Sequence, residues 1–139
     1  MTLVFVDGIG GGLAALGAGV AHALGISGAV ASTSVGPLPV PTEVTDALKE
    51  VGMKVPSVTT LDEAAGPEAR FIFLGGAPPE PPIEGAAHWE ASLYVSPQRD
   101  AANSFELQRM ATTRIVRDQI ERRLEALRPH RESTRPAST

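Results

Sequence analysis

The sequence predicts a small α/β protein, a three-layer sandwich built around a four-stranded parallel sheet. Short runs of apolar, β-prone residues alternate along the chain with longer segments of helical character. Stretches rich in glycine and proline separate the two kinds of segment. Strands that alternate with helices pair in parallel through right-handed crossovers, and helices then cover the sheet.

The predicted strands are residues 3–6, 29–32, 70–74 and a fourth that begins within 86–90. The predicted helices are residues 13–24, 41–52, a short turn capped by Thr59 or Thr60, and 103–127. In the last helix, spacings of three and four define one apolar face, formed by Met110, Thr113, Val116, Ile120, Leu124 and Leu127. On the exposed side of this helix we expect an ion pair between Asp118 and Arg122.

The 139 residues are predicted to form one domain, 1–127, followed by a polar basic tail, 128–139, that is expected to be disordered. The chain has no cysteine, which excludes disulfides, thiolate metal sites and a cysteine nucleophile. Its three scattered histidines do not form a metal-binding motif, so neither a metal nor a cofactor is predicted. The first residues lack the basic region of a secretory signal, and a cytoplasmic location is expected.

The net charge of −4 is unevenly distributed along the chain. Residues 1–98 contain ten acidic and three basic side chains, whereas residues 99–139 contain nine arginines and six acids. The arginines of the last helix are read as a solvated face or, alternatively, as a docking surface for an acidic protein partner: Arg109, Arg114, Arg117, Arg122 and Arg123. Because an extended basic face is missing from the rest of the chain, no nucleic-acid partner is expected.

Residues 8–42 contain no Asp, Glu, Lys or Arg, and their apolar part is nearly long enough to span a bilayer. The stretch also contains several glycines, a histidine and a serine, and it lacks flanking basic residues and interfacial aromatic residues. A buried helix followed by a buried strand explains these residues better. No membrane association is expected.

The segment DGIGGG, residues 7–12, joins the first strand to the first helix, at the edge of the sheet where such folds bind ligands. The loops 33–41 and 75–94 are predicted on the same edge. Backbone N–H groups of Gly8, Gly10, Gly11 and Gly12 could cradle an oxyanion at the helix N-terminus. Asp7, however, would repel an anion and can itself accept those N–H bonds. The sequence therefore indicates that Asp7 fills its own cradle, which is then not a phosphate site.

Other interpretations of this segment stay open. It is compatible with a tight turn capped by Asp7, and with a site for a neutral or cationic ligand or a partner's basic side chain. A dinucleotide site is a weaker match, because no acid follows about 20 residues later to hold a ribose. Asp7 as a hydrolase nucleophile would lack a second acid for magnesium and a nearby lysine. His88, Trp89 and Glu90 could line the same edge and stack on a ligand, although packing of the tryptophan is the simpler interpretation.

Taken in order, these segments resemble the low-molecular-weight protein tyrosine phosphatase and arsenate reductase family. FVDGIGGGLA stands where that family has its first strand and phosphate loop, and ASTSVGPLPVPTEVTDALKEVGMKV resembles the strand, loop and helix that follow. SVTTLDEA resembles the start of the next helix, RFIFLGG the central strand, AAHWE the stretch before the general-acid loop, and the arginine-rich last helix the closing helix. The resemblance covers residues 2–127 and implies a phosphatase-like, flavodoxin-like fold.

The resemblance does not extend to the catalytic residues of that family. Its loop begins with a cysteine and ends with an arginine followed by a hydroxyl residue, and these positions fall here on Asp7, Leu13 and Ala14. The position of its general acid falls on Leu93 or Tyr94. The resemblance thus implies a degenerate member that is not an enzyme, a binding or regulatory subunit in a hetero-complex or homodimer. The alternatives are a small-molecule or nucleotide-binding protein that uses the glycine loop, and an atypical hydrolase that uses Asp7.

Overall fold

The computed structural model describes residues 2–26, 28–64, 68–76, 83, 85–89 and 106–127. Within these ranges the strands are β1 (Thr2–Gly8), β2 (Val30–Thr33), β3 (Val58–Thr60), β4 (Ala69–Gly76) and β5 (Ala87–His88). The helices are α1 (Gly12–Ala23), α2 (Thr42–Lys49), α3 (Leu61–Ala64) and α4 (Glu106–Ala126). The predicted tail, residues 128–139, lies outside the described residues.

The strands form one parallel sheet in the order β3-β2-β1-β4-β5, which confirms the predicted fold class. The predicted strand count of four is wrong, because the described sheet has five strands. The additional strand is β3, which pairs with β2 at the edge of the sheet. It is only three residues long and runs directly into α3, so its apolar alternation was too short to indicate a strand.

Helix α1 packs on β1 and β2 and is itself covered by α2 and α4. The ten residues from Gly12 to Ala21 are consequently all buried. Two glycines allow this close packing: a Cβ at Gly17 would lie 2.7 Å from a ring carbon of Phe5, and one at Gly19 would lie 2.6 Å from a methyl group of Leu48. Among the described helices, none is long and apolar enough to cross a bilayer.

Both faces of the sheet are covered. Phe5 points toward α1, so its neighbours Val4 and Val6 point to the opposite face, and all three side chains are fully buried. Helix α3 packs against β2 and β3. The arrangement is therefore a three-layer sandwich, as the alternation of strands and helices predicted.

Helix α4 buries the apolar face that its spacing predicted: Thr113, Val116, Ile120 and Leu124 are buried, Met110 is half-buried, and Leu127 at the helix end is exposed. The predicted ion pair between Asp118 and Arg122 is not among the described contacts. Asp118 instead accepts a hydrogen bond from Nε of Arg117, at 3.1 Å. Arg117 is better placed because its guanidinium already lies over the C-terminus of α2.

Candidate functional site

The glycine loop, residues 7–14, follows the carboxyl end of β1, with β2 on one side of that strand and β4 on the other. The connections that follow β1 and β4 run in opposite directions, toward β2 and toward β5, and ligands of parallel α/β folds bind at such a switch of strand order. Gly8 pairs with Gly76 of β4, and Gly12 is the first residue of α1. The loop therefore has the position of a ligand site.

The carboxylate of Asp7 fills the centre of this loop. Its Oδ1 accepts hydrogen bonds from the backbone N–H groups of Ile9, at 3.1 Å, and Gly11, at 2.8 Å. Its Oδ2 accepts a third from the N–H of Ala14, in the first turn of α1, at 2.9 Å. Asp7 is fully buried, and no ion pair in the described part of the chain involves it. A ring of backbone N–H groups of this kind binds an oxyanion, and here the bound group is the carboxylate of Asp7 itself.

Thr33, at the end of β2, fixes the loop from the side. Its hydroxyl donates to the backbone carbonyl of Asp7, at 3.0 Å, and accepts from the N–H groups of Gly10 and Val35, each at 3.3 Å. The carbonyl of Asp7 also accepts from the N–H of Ser34, at 2.9 Å. Sequence reasoning missed Thr33, although a hydroxyl at the end of the neighbouring predicted strand was an available signal.

Two glycines of the loop require positive φ angles, 108° at Gly10 and 107° at Gly11, which other residues rarely adopt. The space beside each is already occupied. A Cβ at Gly10 would lie 2.7 Å from Leu38, and one at Gly11 would lie 2.5 Å from Val58. The N–H of Leu38 also donates to the carbonyl of Gly10, at 2.8 Å. The side chains of Leu38 and of Val58 in β3 thus cover the glycine backbone that a nucleotide would need to approach.

The burial of Asp7 argues against the alternative that the protein is a hydrolase with Asp7 as its nucleophile. Asp7 has no exposed surface, and both of its oxygens are engaged by backbone N–H groups. A nucleophile must reach the reacting atom of its substrate, so this arrangement favours a structural role for the carboxylate. Among the described residues, no group of three or more His, Asp or Glu side chains could hold a metal ion.

The predicted edge residues His88 and Trp89 contact the sheet rather than the glycine loop. His88 is exposed, and its ring lies 5.6 Å from that of Phe73 in an edge-to-face arrangement. The ring of Trp89 lies 6.3 Å from that of Phe5, also edge to face. No described contact joins either residue to residues 7–12, and Glu90 lies outside the described residues.

The arginines of α4 are partly committed to contacts within the molecule. Arg114 binds both carboxylate oxygens of Glu50, with its closest approach at 2.7 Å, and Arg117 binds Glu50 at 2.6 Å and the carbonyl of Ala47 at 3.0 Å. The guanidinium of Arg123 lies 5.7 Å from the centroid of the Trp89 ring. Two other positions remain from the predicted docking surface: Arg122, which is exposed, and Arg109, whose side chain is outside the description.

Glu50 links the end of α2 to α4. Its hydrogen bonds with Arg114 and then with Arg117 stabilise the charged form and lower its pKa from the usual 4.5 to about 2. The same hydrogen bond raises the pKa of Arg114. This cluster is an exposed ion-pair network that joins two helices, and it lies on the α2–α4 face of the protein, away from the glycine loop.

The five-stranded parallel sheet, in the order β3-β2-β1-β4-β5, is the kind of α/β fold that the resemblance found in the sequence implies. A solved structure described as "An arsenate reductase in the phosphate binding state" is similar to this chain, with a TM-score of 0.68 and 18% sequence identity. The match covers 91% of this chain and 95% of that one. No family model matches the sequence, and no curated protein matches it. The resemblance predicted from the sequence is confirmed at the level of the fold.

The expectation that the chain is not an enzyme is wrong. A solved structure with this fold is described as an arsenate reductase, which is an enzyme, so the fold gives no ground for excluding catalysis. The expectation relied on the loss of one set of catalytic residues, but a fold can support other chemistry with other residues. Any reaction of this chain uses groups other than a thiolate, because the sequence contains no cysteine.

Proposed function

We propose that this protein acts as a binding or regulatory subunit of a larger protein assembly, built on the phosphatase-like and arsenate reductase-like fold. The observation that carries the proposal is the occupied loop: the N–H groups of Ile9, Gly11 and Ala14 donate to Asp7. The similar arsenate reductase is described in a phosphate-binding state. In this chain the loop already holds an anion of its own.

An internal anion changes what the loop can do. A loop that must bind phosphate keeps its N–H groups open to solvent, whereas these N–H groups are satisfied in the absence of any ligand. The loop thus keeps one shape permanently and provides a rigid surface for recognition. Val35 and Leu38, in the segment that covers the loop, are large apolar residues with 40% and 46% of their surface exposed. Apolar side chains held at the edge of a rigid loop suit contact with a protein partner.

Phosphate titration tests the occupied loop. We expect isothermal titration calorimetry to show no phosphate binding to the wild-type chain at millimolar concentrations. The variant Asp7→Ala vacates the cradle, so it should bind phosphate, and phosphate should raise its melting temperature. Asp46→Ala, which removes an exposed acid of α2, is the matched control and should behave as the wild type does. Phosphate binding by the wild type, with shifts of the amide signals of residues 9–14, would contradict the proposal.

The assembly is tested separately on the native protein. The chain should elute from a fresh native extract at a size well above that of its monomer, and cross-linking should attach it to a defined partner. Analytical ultracentrifugation of the purified chain distinguishes a homodimer from a hetero-complex. Elution as a free monomer from the native extract, without cross-linked products, would refute the role as a subunit.

A further inference from the structure

A second concave site lies on the α4 side of the sheet, near the starts of β1 and β4. It is lined by Leu3 and Arg70, near the beginning of these strands, and by Trp89 and Leu127. The cavity has a volume of about 320 Å³. Ligand sites usually measure about 300–1,000 Å³, so this one suits a small molecule. It lies at the opposite edge of the sheet from the glycine loop.

The cavity combines an apolar interior with one cation. Leu3, Ile72 and Leu127 supply apolar surface, and Arg70 is the charged residue among the described ones that line it. Arg70 is exposed and forms no ion pair with any residue in the described ranges. Its five N–H donors are thus available to a carboxylate, which a guanidinium can bind through two parallel hydrogen bonds.

The aromatic side of the cavity is held in place. The ring of Trp89 contacts Phe5 edge to face, and its backbone N–H donates to the carbonyl of Phe73, at 2.8 Å. The guanidinium of Arg123 lies 5.7 Å from the Trp89 centroid and adds a second positive charge next to the cavity. A fixed indole reduces the entropy lost when a flat ligand stacks or packs against it. Two nearby guanidinium groups favour a ligand that is negatively charged.

We propose that this cavity binds a small organic monoanion with an apolar body, of the aromatic carboxylate class. Its carboxylate binds Arg70, and its ring packs against Trp89 and Leu127. The site is distinct from the glycine loop and does not depend on the role proposed for that loop.

The fluorescence of Trp89 provides a direct test, because it is the only tryptophan of the chain. Phenylacetate is the probe, and its neutral isostere phenylacetamide is the control ligand. We expect a saturable change in tryptophan emission with phenylacetate, and binding about fivefold weaker with the amide, the range of an exposed ion pair. Amide shifts of Leu3, Ala87 and Leu127 in the NMR spectrum should follow the same titration.

The variant Arg70→Gln tests the proposed carboxylate contact. It should weaken phenylacetate binding about fivefold and leave the affinity for phenylacetamide unchanged. Lys54→Gln removes an exposed positive charge that does not line the cavity, and it should bind as the wild type does. Circular dichroism checks that both variants fold. Absence of a saturable signal, equal affinity for acid and amide, or an unchanged affinity in Arg70→Gln would each overturn the proposal.

Discussion

Two carboxylates of this protein are held in opposite ways. Asp7 is fully buried, and its partners are three neutral backbone N–H groups within a seven-residue stretch of its own chain. Glu50 keeps 38% of its side chain exposed, and its partners are two charged guanidinium groups more than sixty residues away in sequence. The first arrangement closes a loop on itself, and the second joins two helices.

The difference lies in what is left behind when the acid is removed. Without Asp7, three backbone donors in a buried loop lose their acceptor, and each buried donor left without a partner costs free energy. Without Glu50, the exposed Arg114 is hydrated, and Arg117 keeps its hydrogen bonds to Asp118 and to the carbonyl of Ala47. The protein should therefore depend strongly on the buried acid and weakly on the exposed one, although Glu50 takes part in the ion pairs. Four substitutions test this comparison.

The largest effect is expected for Asp7→Asn, which keeps the size of the side chain but replaces one acceptor oxygen by an NH₂ donor. At least one N–H of the loop then faces a donor, so the free energy of unfolding should fall by about 3 kcal/mol. Urea denaturation measures the change.

Asp46→Asn is the control for this experiment, since Asp46 is exposed on α2. It should change the free energy of unfolding by less than about 0.5 kcal/mol. Equal effects of the two substitutions would mean that the hydrogen bonds to Asp7 contribute little to stability.

The second effect concerns the hydroxyl of Thr33. Thr33→Val keeps the shape of the side chain but removes the donor to the carbonyl of Asp7 and the acceptor of the N–H of Gly10. We expect a loss of about 1.5 kcal/mol, again by urea denaturation. The amide of Gly10 should also exchange faster with deuterium, whereas unchanged exchange would indicate that Thr33 does not hold the loop.

The residue that precedes Thr33 on β2 also carries a hydroxyl group, but removing that hydroxyl should stabilise the protein. Ser32 is fully buried, and within the described ranges its Oγ has no hydrogen-bond partner. Ser32→Ala removes a polar group that was buried without compensation, so the free energy of unfolding should rise by up to about 1 kcal/mol. A melting temperature below that of the wild type would contradict this expectation. The comparison of Ser32→Ala with Thr33→Val distinguishes the stability effect of an unpaired buried hydroxyl from that of a hydrogen-bonded one on the same strand.

The smallest effect is expected for Glu50→Gln, and it depends on pH. The pKa of Glu50 is lowered from 4.5 to about 2 in the folded protein, so its contribution to stability is complete above about 4.5. It is lost as the pH falls from 4.5 through about 2, when the carboxylate is protonated in both states. The melting temperatures of wild type and Glu50→Gln should therefore differ slightly at neutral pH and converge near pH 2. A constant difference across this range would exclude a role of the charge.

The fold was largely predictable because its signals are local. The apolar run at residues 3–6, the strand at 70–74 and the spacing in the last helix each predict an element that is present. The edge strand β3 was missed, since three residues cannot show a period. Glycine inside a helix normally weakens it, yet the close approach of Phe5 and Leu48 shows that Gly17 and Gly19 allow α1 to pack tightly. That contact depends on distant parts of the chain, which no local pattern reports.

The candidate site was predictable where its residues are neighbours in sequence. An acid followed by glycines before a helix indicated that Asp7 accepts the loop N–H groups, and the contacts with Ile9, Gly11 and Ala14 agree with this interpretation. The loop 33–41 was predicted at the same edge of the sheet, but the hydrogen bonds of Thr33 with Asp7 and of Leu38 with Gly10 were not. The arginines of α4 were read as an outward surface, because their partner Glu50 lies far away in sequence. Charge patterning alone does not distinguish a solvated arginine from one that bridges two helices.

The complete burial of helix α1 has a consequence for biosynthesis. One of its covers is α4, which begins at Glu106, whereas α1 ends at Ala23, so α4 is synthesised well after α1. Before α4 is synthesised, the apolar surface of α1, which includes Leu16 and Val20, is only partly covered. Nascent chains that stall before residue 106 should therefore be prone to aggregation and should rely on chaperones. The full 139-residue chain should not.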